Sequence, residues 1–472
     1  MRLMIAGGGG FRVPLVYRAL SDGPFAGLVR ELVLFDVDAG RLAAINAVLA
    51  SLPGREPGGG PAVRTTTSLA EALSGTDMVF AAIRPGGTSG RTVDERVAQE
   101  LGVLGQETTG AGGISYALRT IPPMLTLAQA MKRLCPEAWL VNFTNPAGMV
   151  TEALVPVLGG KVVGICDSAG GLVHRAARAA GVVLPEGRLD GVGYYGLNHL
   201  GWLYRLESGG REVLPDLLAD AGALAGFEEG RLFPQPFLAG LGCLPNEYLY
   251  YYYETARALA AMRAAAQTRG ESIHRQQSAL YPRLAAAGTE AYALWDAARR
   301  SREEGYLAEA RSVGERRDEE DLAGGGYERV ALAVMRALSG GGAAELVLNT
   351  PNAVPGPDGA LTPAIPGLPV DAVVEVPCRV GPHGVVPMPQ DRPADAQLEL
   401  MLRIKEVERL VVEATGPAPG SQRRAAALAA FARHPLVASD QLAARLLAGY
   451  EAAFPDLPRL WRSDGRDERG GN

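Results

Sequence analysis

Several short stretches of this 472-residue chain set chemically capable side chains beside turns. The first is the opening, Arg2-Leu3-Met4-Ile5-Ala6-Gly7-Gly8-Gly9-Gly10, an apolar run that meets glycine. Backbone without Cβ can approach a pyrophosphate, and a following helix offers its N-terminal N–H groups to the negative charge. Arg12 stands where the third glycine of a G-x-G-x-x-G pattern would fall. Asp36 ends the next apolar run, where a carboxylate could bind the two adenosine ribose hydroxyls. An acid there favours NAD over NADP, whose 2′-phosphate would meet its charge. The expected contacts of a dinucleotide are Gly7, Gly8, Gly9, Gly10, Phe11, Arg12, Asp36 and Asn142.

Cys166-Asp167 follows a valine-rich run, and Asn198-His199 lies in a turn between two strand-like runs. Singly, a cysteine is more often a small buried hydrophobe, and a histidine more often structural. Together at a cofactor cleft, thiolate and imidazole suit a divalent transition metal and leave positions open for substrate oxygens. Asn142-Phe143-Thr144-Asn145-Pro146 ends a further run with two carboxamides. Glu107 sits among the glycines of Gly105–Gly113. The run Tyr248-Leu249-Tyr250-Tyr251-Tyr252-Tyr253 offers phenols, most of which should be packing. A phenol becomes a base only where nearby positive charge lowers its pKa.

The elements that must position these residues follow from hydrophobic patterning. Leu3–Ala6, Glu31–Asp36, Met78–Ile83, Trp139–Thr144 and Val162–Cys166 read as strands. Pro14–Leu20, Arg41–Leu49, Ser68–Leu73, Pro122–Leu134 and Ala147–Val157 read as helices between them. Continuous apolar strands alternating with helices predict a parallel sheet covered on both faces. The class is therefore α/β: an N-terminal Rossmann-type doubly wound parallel sheet over 1–188, then a mixed α+β catalytic domain over 189–462. The whole follows a lactate/malate dehydrogenase-like plan, and the polar tail 463–472 should be disordered. In the second half, strands are expected at Gly191–Gly196, Trp202–Leu206 and Ala372–Val376. Helices are expected at Tyr248–Thr268, Ser272–Ala286, Tyr327–Leu338, Ala396–Val412 and Arg424–Phe431.

Composition removes several classes of function. With 46 basic and 52 acidic residues the net charge is −6, which leaves no electrostatic footprint for nucleic acid or an anionic membrane. Four cysteines are too few for a disulfide scaffold. The first apolar run stops at Gly7, too short for a signal peptide, and no stretch approaches a membrane span. A soluble, cytoplasmic enzyme is the expectation. Lysine occurs only at Lys132, Lys161 and Lys405, so a lone arginine is weak evidence of an anion site.

Taken in order, Met4–Gly10, Gly105–Gly113, Val141–Pro146, Gly164–Asp167, Gly196–Gly201 and Pro245–Tyr252 form a set. The set resembles the NAD-dependent glycoside hydrolases of family 4, especially their 6-phospho-β-glucosidase branch. The likeness runs over nearly the whole chain, including Leu346–Asn349 and Val373–Pro377. It implies a route unlike that of two-carboxylate glycosidases. NAD⁺ oxidises the sugar at C3, and the ketone acidifies C2–H. A base removes that proton, the aglycone leaves from C1, water adds, and C3 is reduced again.

The resemblance also implies roles. Cys166 and His199 would hold a divalent ion, Mn²⁺ first, and Asn145 the sugar hydroxyls. Tyr248 would be the base at C2, with Tyr251 or Tyr252 as alternatives. Asp167, slightly ahead of Glu107, would be the acid. Arg84, with Arg275 second, would receive the 6-phosphate of a small phosphorylated glucoside. A homodimer or homotetramer is implied as well. Gly10-Phe11-Arg12-Val13-Pro14 departs from the hydroxyl-rich opening of many members, and Cys166-Asp167 resembles α-specific ones. Leu197 and the tyrosine run resemble the β branch, which is the reading adopted. The rivals are an NAD-dependent sugar or hydroxy-acid dehydrogenase, a glycosidase of the same mechanism acting on α- or unphosphorylated glucosides, and a dinucleotide sensor.

Overall fold

Aliphatic runs with no polar alternation must be buried on both faces, and in the computed structural model of the chain they are. The structure describes residues 1–54, 59–305 and 326–462; the expected disordered tail, 463–472, lies outside them. β1 (Arg2–Ala6), β2 (Glu31–Phe35), β3 (Ala62–Thr66), β4 (Met78–Ala81), β5 (Trp139–Asn142) and β6 (Val162–Gly164) are parallel. Their order is β3-β2-β1-β4-β5-β6. That is the dinucleotide-binding arrangement, whose ligand crevice opens at the carboxyl ends of β1 and β4.

The second half extends this sheet. β7 (Val192–Leu197) and β8 (Leu200–Ser208) form a hairpin, and β9 (Arg211–Glu212) and β10 (Leu244–Pro245) pair with β8. β11 (Ala344–Pro351) runs antiparallel to β6 through the Asn349↔Gly164 pair. β12 (Val354–Pro355) and β13 (Leu361–Thr362) pair with each other. β14 (Val373–Gly381) joins β11 to β7, and β15 (Gly384–Pro387) pairs with β14. One 13-stranded mixed sheet results among the described residues. The expected class, a Rossmann-type sheet followed by a mixed α+β part, is what the chain forms.

The expected division at residue 188 is crossed twice. The sheet continues from β6 into β11, and the core of the first half is completed from the far end of the chain. One face of the parallel set, Met4, Val33 and Val79, packs with helix Gly110–Leu134 and with Val407, Phe431, Leu446 and Tyr450. Those last four come from helices Asp395–Ala414, Gly420–Arg433 and Asp440–Ala453, which the linear reading gave to the second domain.

Two expected helices change their limits. Pro122–Leu134 is the end of a helix that starts at Gly110. A Cβ on Gly112 would lie 2.1 Å from the Gln106 carbonyl oxygen and one on Gly113 2.6 Å from that of Thr108. These glycines therefore serve close packing inside a helix, against their usual propensity. Tyr248–Thr268 is broken into a 3₁₀ turn at Glu247–Leu249, a short helix at Tyr250–Tyr253 and a helix at Thr255–Ala264. No helix of the described residues is long and apolar enough to cross a membrane.

Candidate active site

The glycine turn after β1 is built by contact. A Cβ on Gly8 would lie 2.7 Å from Leu34 Cα, and one on Gly9 2.6 Å from Arg41 Cβ. Gly7 adopts φ +91°, a conformation that favours glycine. Asp36 braces the turn, accepting from Gly9 N at 3.0 Å. Two side chains from late in the chain hold the next carbonyls: Trp295 Nε1 donates to Phe11 O and Tyr327 OH to Arg12 O, each at 2.7 Å. Gly7, Gly10, Phe11, Arg12 and Asp36 line a cavity of about 700 Å³. Gly8 and Gly9 lie behind its wall. This cradle fits a dinucleotide.

Asn142 does something other than expected. Its buried carboxamide donates to Thr144 O, Ala147 O and Thr151 Oγ1 and accepts from Thr144 N. All its polar capacity goes to shaping the turn that carries Asn145, and it lines neither cavity. Arg275 is also corrected: it is exposed on helix Arg269–Ala286 and lines neither.

A second cavity, about 760 Å³, shares Arg12, Arg84, Arg91, Phe143, Asn145, Ile273 and Arg302 with the first. It gathers Glu107, Cys166, Asp167, His199, Tyr248 and Tyr251. Cys166 and Asp167 are delivered between β6 and helix Ser168–Ala179. His199 is delivered by the two-residue turn of the β7–β8 hairpin, at φ +63°. Asn198 pins that turn, accepting from Ala147 N at 3.2 Å and donating to buried Glu375 Oε1 at 3.2 Å. Glu375 also accepts from Asn349 and Tyr194.

Tyr248 reaches the cavity because β10 pairs with β8 beside the hairpin and Asn246 Oδ1 accepts its N–H. Its ring lies 3.7 Å from that of His199. Tyr251 lines the cavity, whereas Tyr252 does not. Burial pushes the Tyr252 phenol up, and its ring packs against His434.

The electrostatics separate the two candidate acids. Glu107 accepts from Arg84 Nη1 at 2.5 Å and Arg91 Nη1 at 2.6 Å. Burial opposes its ionisation, but the two guanidinium groups prevail and bring its pKa down to about 2. A carboxyl so held gives up no proton near neutrality. Burial instead raises Asp167, with Arg12 Nη1 3.8 Å away opposing it. Burial also lowers His199 to about 3 and raises the Cys166 thiol. A neutral imidazole and a thiol lining one cavity are donor types that suit a transition metal. Among the described residues no group of three or more histidines, cysteines and acids could hold an ion. Asn145 lines both cavities, and its Oδ1 is buried without a hydrogen-bond partner.

Linear reading missed the charged wall of this cavity. Arg91 and Glu95 lie on helix Gly87–Glu100, and Arg302 and Glu303 end helix Ala291–Glu304. Glu303 holds Arg12 at 3.0 Å.

A glycine cradle that fits a dinucleotide thus opens, on a Rossmann-type α/β sheet, into a cavity that Cys166 and His199 both line. Comparison with known sequences makes the assignment narrower. The family 4 glycosyl hydrolase model matches residues 3–182, and the model of that family's C-terminal domain matches 194–437. The chain belongs to glycosyl hydrolase family 4.

It is 33% identical over 268 residues to 6-phospho-alpha-glucosidase 1 of Lacticaseibacillus paracasei, covering 53% of this chain and 59% of that one. It is 36% identical over 251 residues to a probable 6-phospho-beta-glucosidase of Bacillus subtilis, covering 51% and 56%. The chain thus spans under two thirds of the length of these curated relatives. The 6-phospho-beta glucosidase of Thermotoga maritima, solved with manganese, NAD⁺ and glucose-6-phosphate, superposes with a TM-score of 0.77 at 25% identity. That match covers 97% of this chain and 99% of the other.

Proposed function

We propose that the chain hydrolyses 6-phosphoglucosides, the β-anomer by preference, through transient oxidation of the sugar with NAD and a divalent cation, Mn²⁺ first. The observation that carries this reading is the stack of Tyr248 on His199 in a cavity that Cys166 also lines and that shares its wall with the glycine cradle. When bound, NAD would supply reversible oxidation of the ring and the cation would supply Lewis acidity.

The chain's residues do the rest. The Gly7–Gly10 turn and Asp36 hold the dinucleotide, and Cys166 and His199 hold the cation. Asn145, which lines both cavities, receives the sugar hydroxyls. Tyr248 takes the proton from C2, and Asp167 gives one to the leaving oxygen. Arg84 stands at the phosphate end, with part of its charge committed to Glu107. The ligands named for the Thermotoga maritima structure support the cofactors and the phosphosugar class. Leu197 before the histidine turn and the order of the tyrosine run support β. The aspartate after Cys166 and the Lacticaseibacillus paracasei relative favour the α-anomer as a second reading.

The test is nitrophenol release from p-nitrophenyl β-glucoside 6-phosphate by chelator-stripped protein, with Mn²⁺ and NAD⁺ restored singly and together. Turnover only with both, and no net NADH, is the expected result. Turnover of the α-anomer or the unphosphorylated glucoside alone would keep the chemistry and change the substrate. Steady accumulation of NADH would mark a dehydrogenase instead.

A further inference from the structure

Three carbonyls of the glycine turn are held by aromatic side chains from the second half of the chain. Tyr281 OH donates to Gly9 O at 2.8 Å, Trp295 Nε1 to Phe11 O at 2.7 Å and Tyr327 OH to Arg12 O at 2.7 Å. They come from three different helices, Arg269–Ala286, Ala291–Glu304 and Tyr327–Leu338. Each donor is committed to its carbonyl. An indole nitrogen can only donate. The Tyr281 hydroxyl accepts from Arg41 Nη2 at 2.7 Å, which leaves its one proton for Gly9. The Tyr327 ring is fixed against Phe143, the centroids 4.7 Å apart and the planes 13° from parallel.

Trp295 and Tyr281 line neither cavity, so they grip the turn from behind. Phe11 and Arg12 do line the cofactor cavity. The middle bond of the three decides where one amide goes. In a trans peptide the carbonyl and the following N–H point in opposite directions. Holding Phe11 O toward Trp295 therefore turns the Arg12 N–H away from it. Among the described residues no group accepts the N–H of Phe11 or of Arg12. The Gly10 and Val13 amides, by contrast, are spent inside the turn, on Gly7 O at 2.8 Å and Gly10 O at 3.1 Å. A backbone donor that the fold leaves unpaired beside a cavity is open to a ligand oxygen.

We propose that Trp295 is a positioning residue for the cofactor: by holding Phe11 O it aims the Arg12 amide at the pyrophosphate of the dinucleotide. Tyr281 and Tyr327 fix the rotation of the peptides on either side. The proposal rests on the dinucleotide part of the function proposed above and deepens it by naming what shapes the cradle. It also ties the cradle to the reaction cavity. The helix that carries Trp295 supplies Arg302 and Glu303 to that cavity's wall.

The experiment is binding of NAD⁺ by calorimetry, and of adenosine by ligand-observed NMR, to the full chain and three variants. The variants are Trp295→Phe, Tyr281→Phe and Tyr327→Phe. Adenosine is the probe that lacks a pyrophosphate. Trp295→Phe deletes the donor and should weaken NAD⁺ about tenfold, while adenosine stays within about twofold. Each tyrosine variant loses only a hydroxyl and should weaken NAD⁺ roughly threefold.

The proposal is overturned if Trp295→Phe binds NAD⁺ as wild type does. Equal losses for NAD⁺ and adenosine also overturn it, because they mark a tryptophan that serves the fold alone. Wild-type protein that binds no NAD⁺ does so as well. If Trp295→Phe does not fold, the protein carrying both tyrosine substitutions decides by the same two probes, with roughly tenfold weaker NAD⁺ expected. Binding is read without turnover. Silence in the nitrophenol assay alongside Trp295-dependent NAD⁺ binding would sink the glycosidase reading and leave this one standing.

Discussion

The imidazole of His199 lies flat against the phenol ring of Tyr248, the centroids 3.7 Å apart and the planes 9° from parallel. A cation held by His199 would bring to the phenol the positive charge that a tyrosine needs to act as a base. Tyr248→Phe keeps the stack and removes only the hydroxyl. Its kcat should fall about 10²–10⁴-fold, the usual contribution of a positioned base, while Mn²⁺ affinity changes little. Tyr251→Phe should cost less than roughly tenfold. Equal losses in steady-state assays of the two variants would remove Tyr248 from the role.

Cys166→Ser should abolish turnover and Mn²⁺ binding while leaving NAD⁺ affinity within a factor of about two. The pH dependence has a definite sign. Burial raises the thiol, so at neutral pH it is protonated, and an ion that binds the thiolate must release that proton. Apparent affinity should rise with pH, approaching about tenfold per unit. Calorimetry in buffers of different ionisation enthalpy would count the proton. An active, metal-independent Cys166→Ser enzyme would refute the metal site.

Glu107 is expected to matter for stability and not as the acid. Its pKa falls from 4.5 in the unfolded chain to about 2 when folded, held by Arg84 and Arg91 against burial. A depressed carboxyl stabilises fully above its unfolded pKa and loses that contribution as pH falls through the folded one. The shift corresponds to about 3 kcal/mol. The difference in urea stability between wild type and Glu107→Gln should be largest at pH 6–7 and shrink between roughly pH 4.5 and 2. A difference that does not change with pH would mean that the carboxylate charge is not what the arginines use.

Glu375→Gln tests how the histidine is aimed. Glu375 accepts from Asn198, Asn349 and Tyr194, and Asn198 is the other half of the turn that presents His199. Loosening such a support typically costs 10–100-fold in metal affinity. Mn²⁺ titration should show that loss, with NAD⁺ binding unchanged. An unchanged Mn²⁺ Kd would confine Glu375 to the fold.

What could be read from the chain alone follows physical lines. β1, β2, β4, β5 and β6 were legible because both faces of each are buried, which leaves an unbroken aliphatic signature. β3 was not, since it is an edge strand with exposed Ala62, Arg64 and Thr65. Helix Gly87–Glu100 was missed for a different reason. Its buried face is Gly90, Arg91, Asp94, Glu95 and Ala98, so it shows no stripe of large apolar residues although it builds the wall of the cavity. Cys166, His199, Asn145 and Tyr248 converge as expected because each sits in a turn between readable elements. Asn142 and Arg275 were misplaced because residue type cannot reveal a carboxamide consumed by its own turn or a cation pointing to solvent. Arg302 was hidden among many arginines, because residue type alone cannot tell one that lines a cavity from one at the surface.

That Met4, Val33 and Val79 share one buried cluster with Val407, Phe431, Leu446 and Tyr450 has a consequence during synthesis. Ribosomes release the parallel strands first, yet part of the hydrophobic cover for one face leaves the exit tunnel only with the last quarter of the polypeptide. Until then a nascent chain carries a sticky, incompletely roofed surface, the kind of intermediate that chaperones hold. Shortening the C-terminus past Asp395 should therefore send even the early-made half into aggregates.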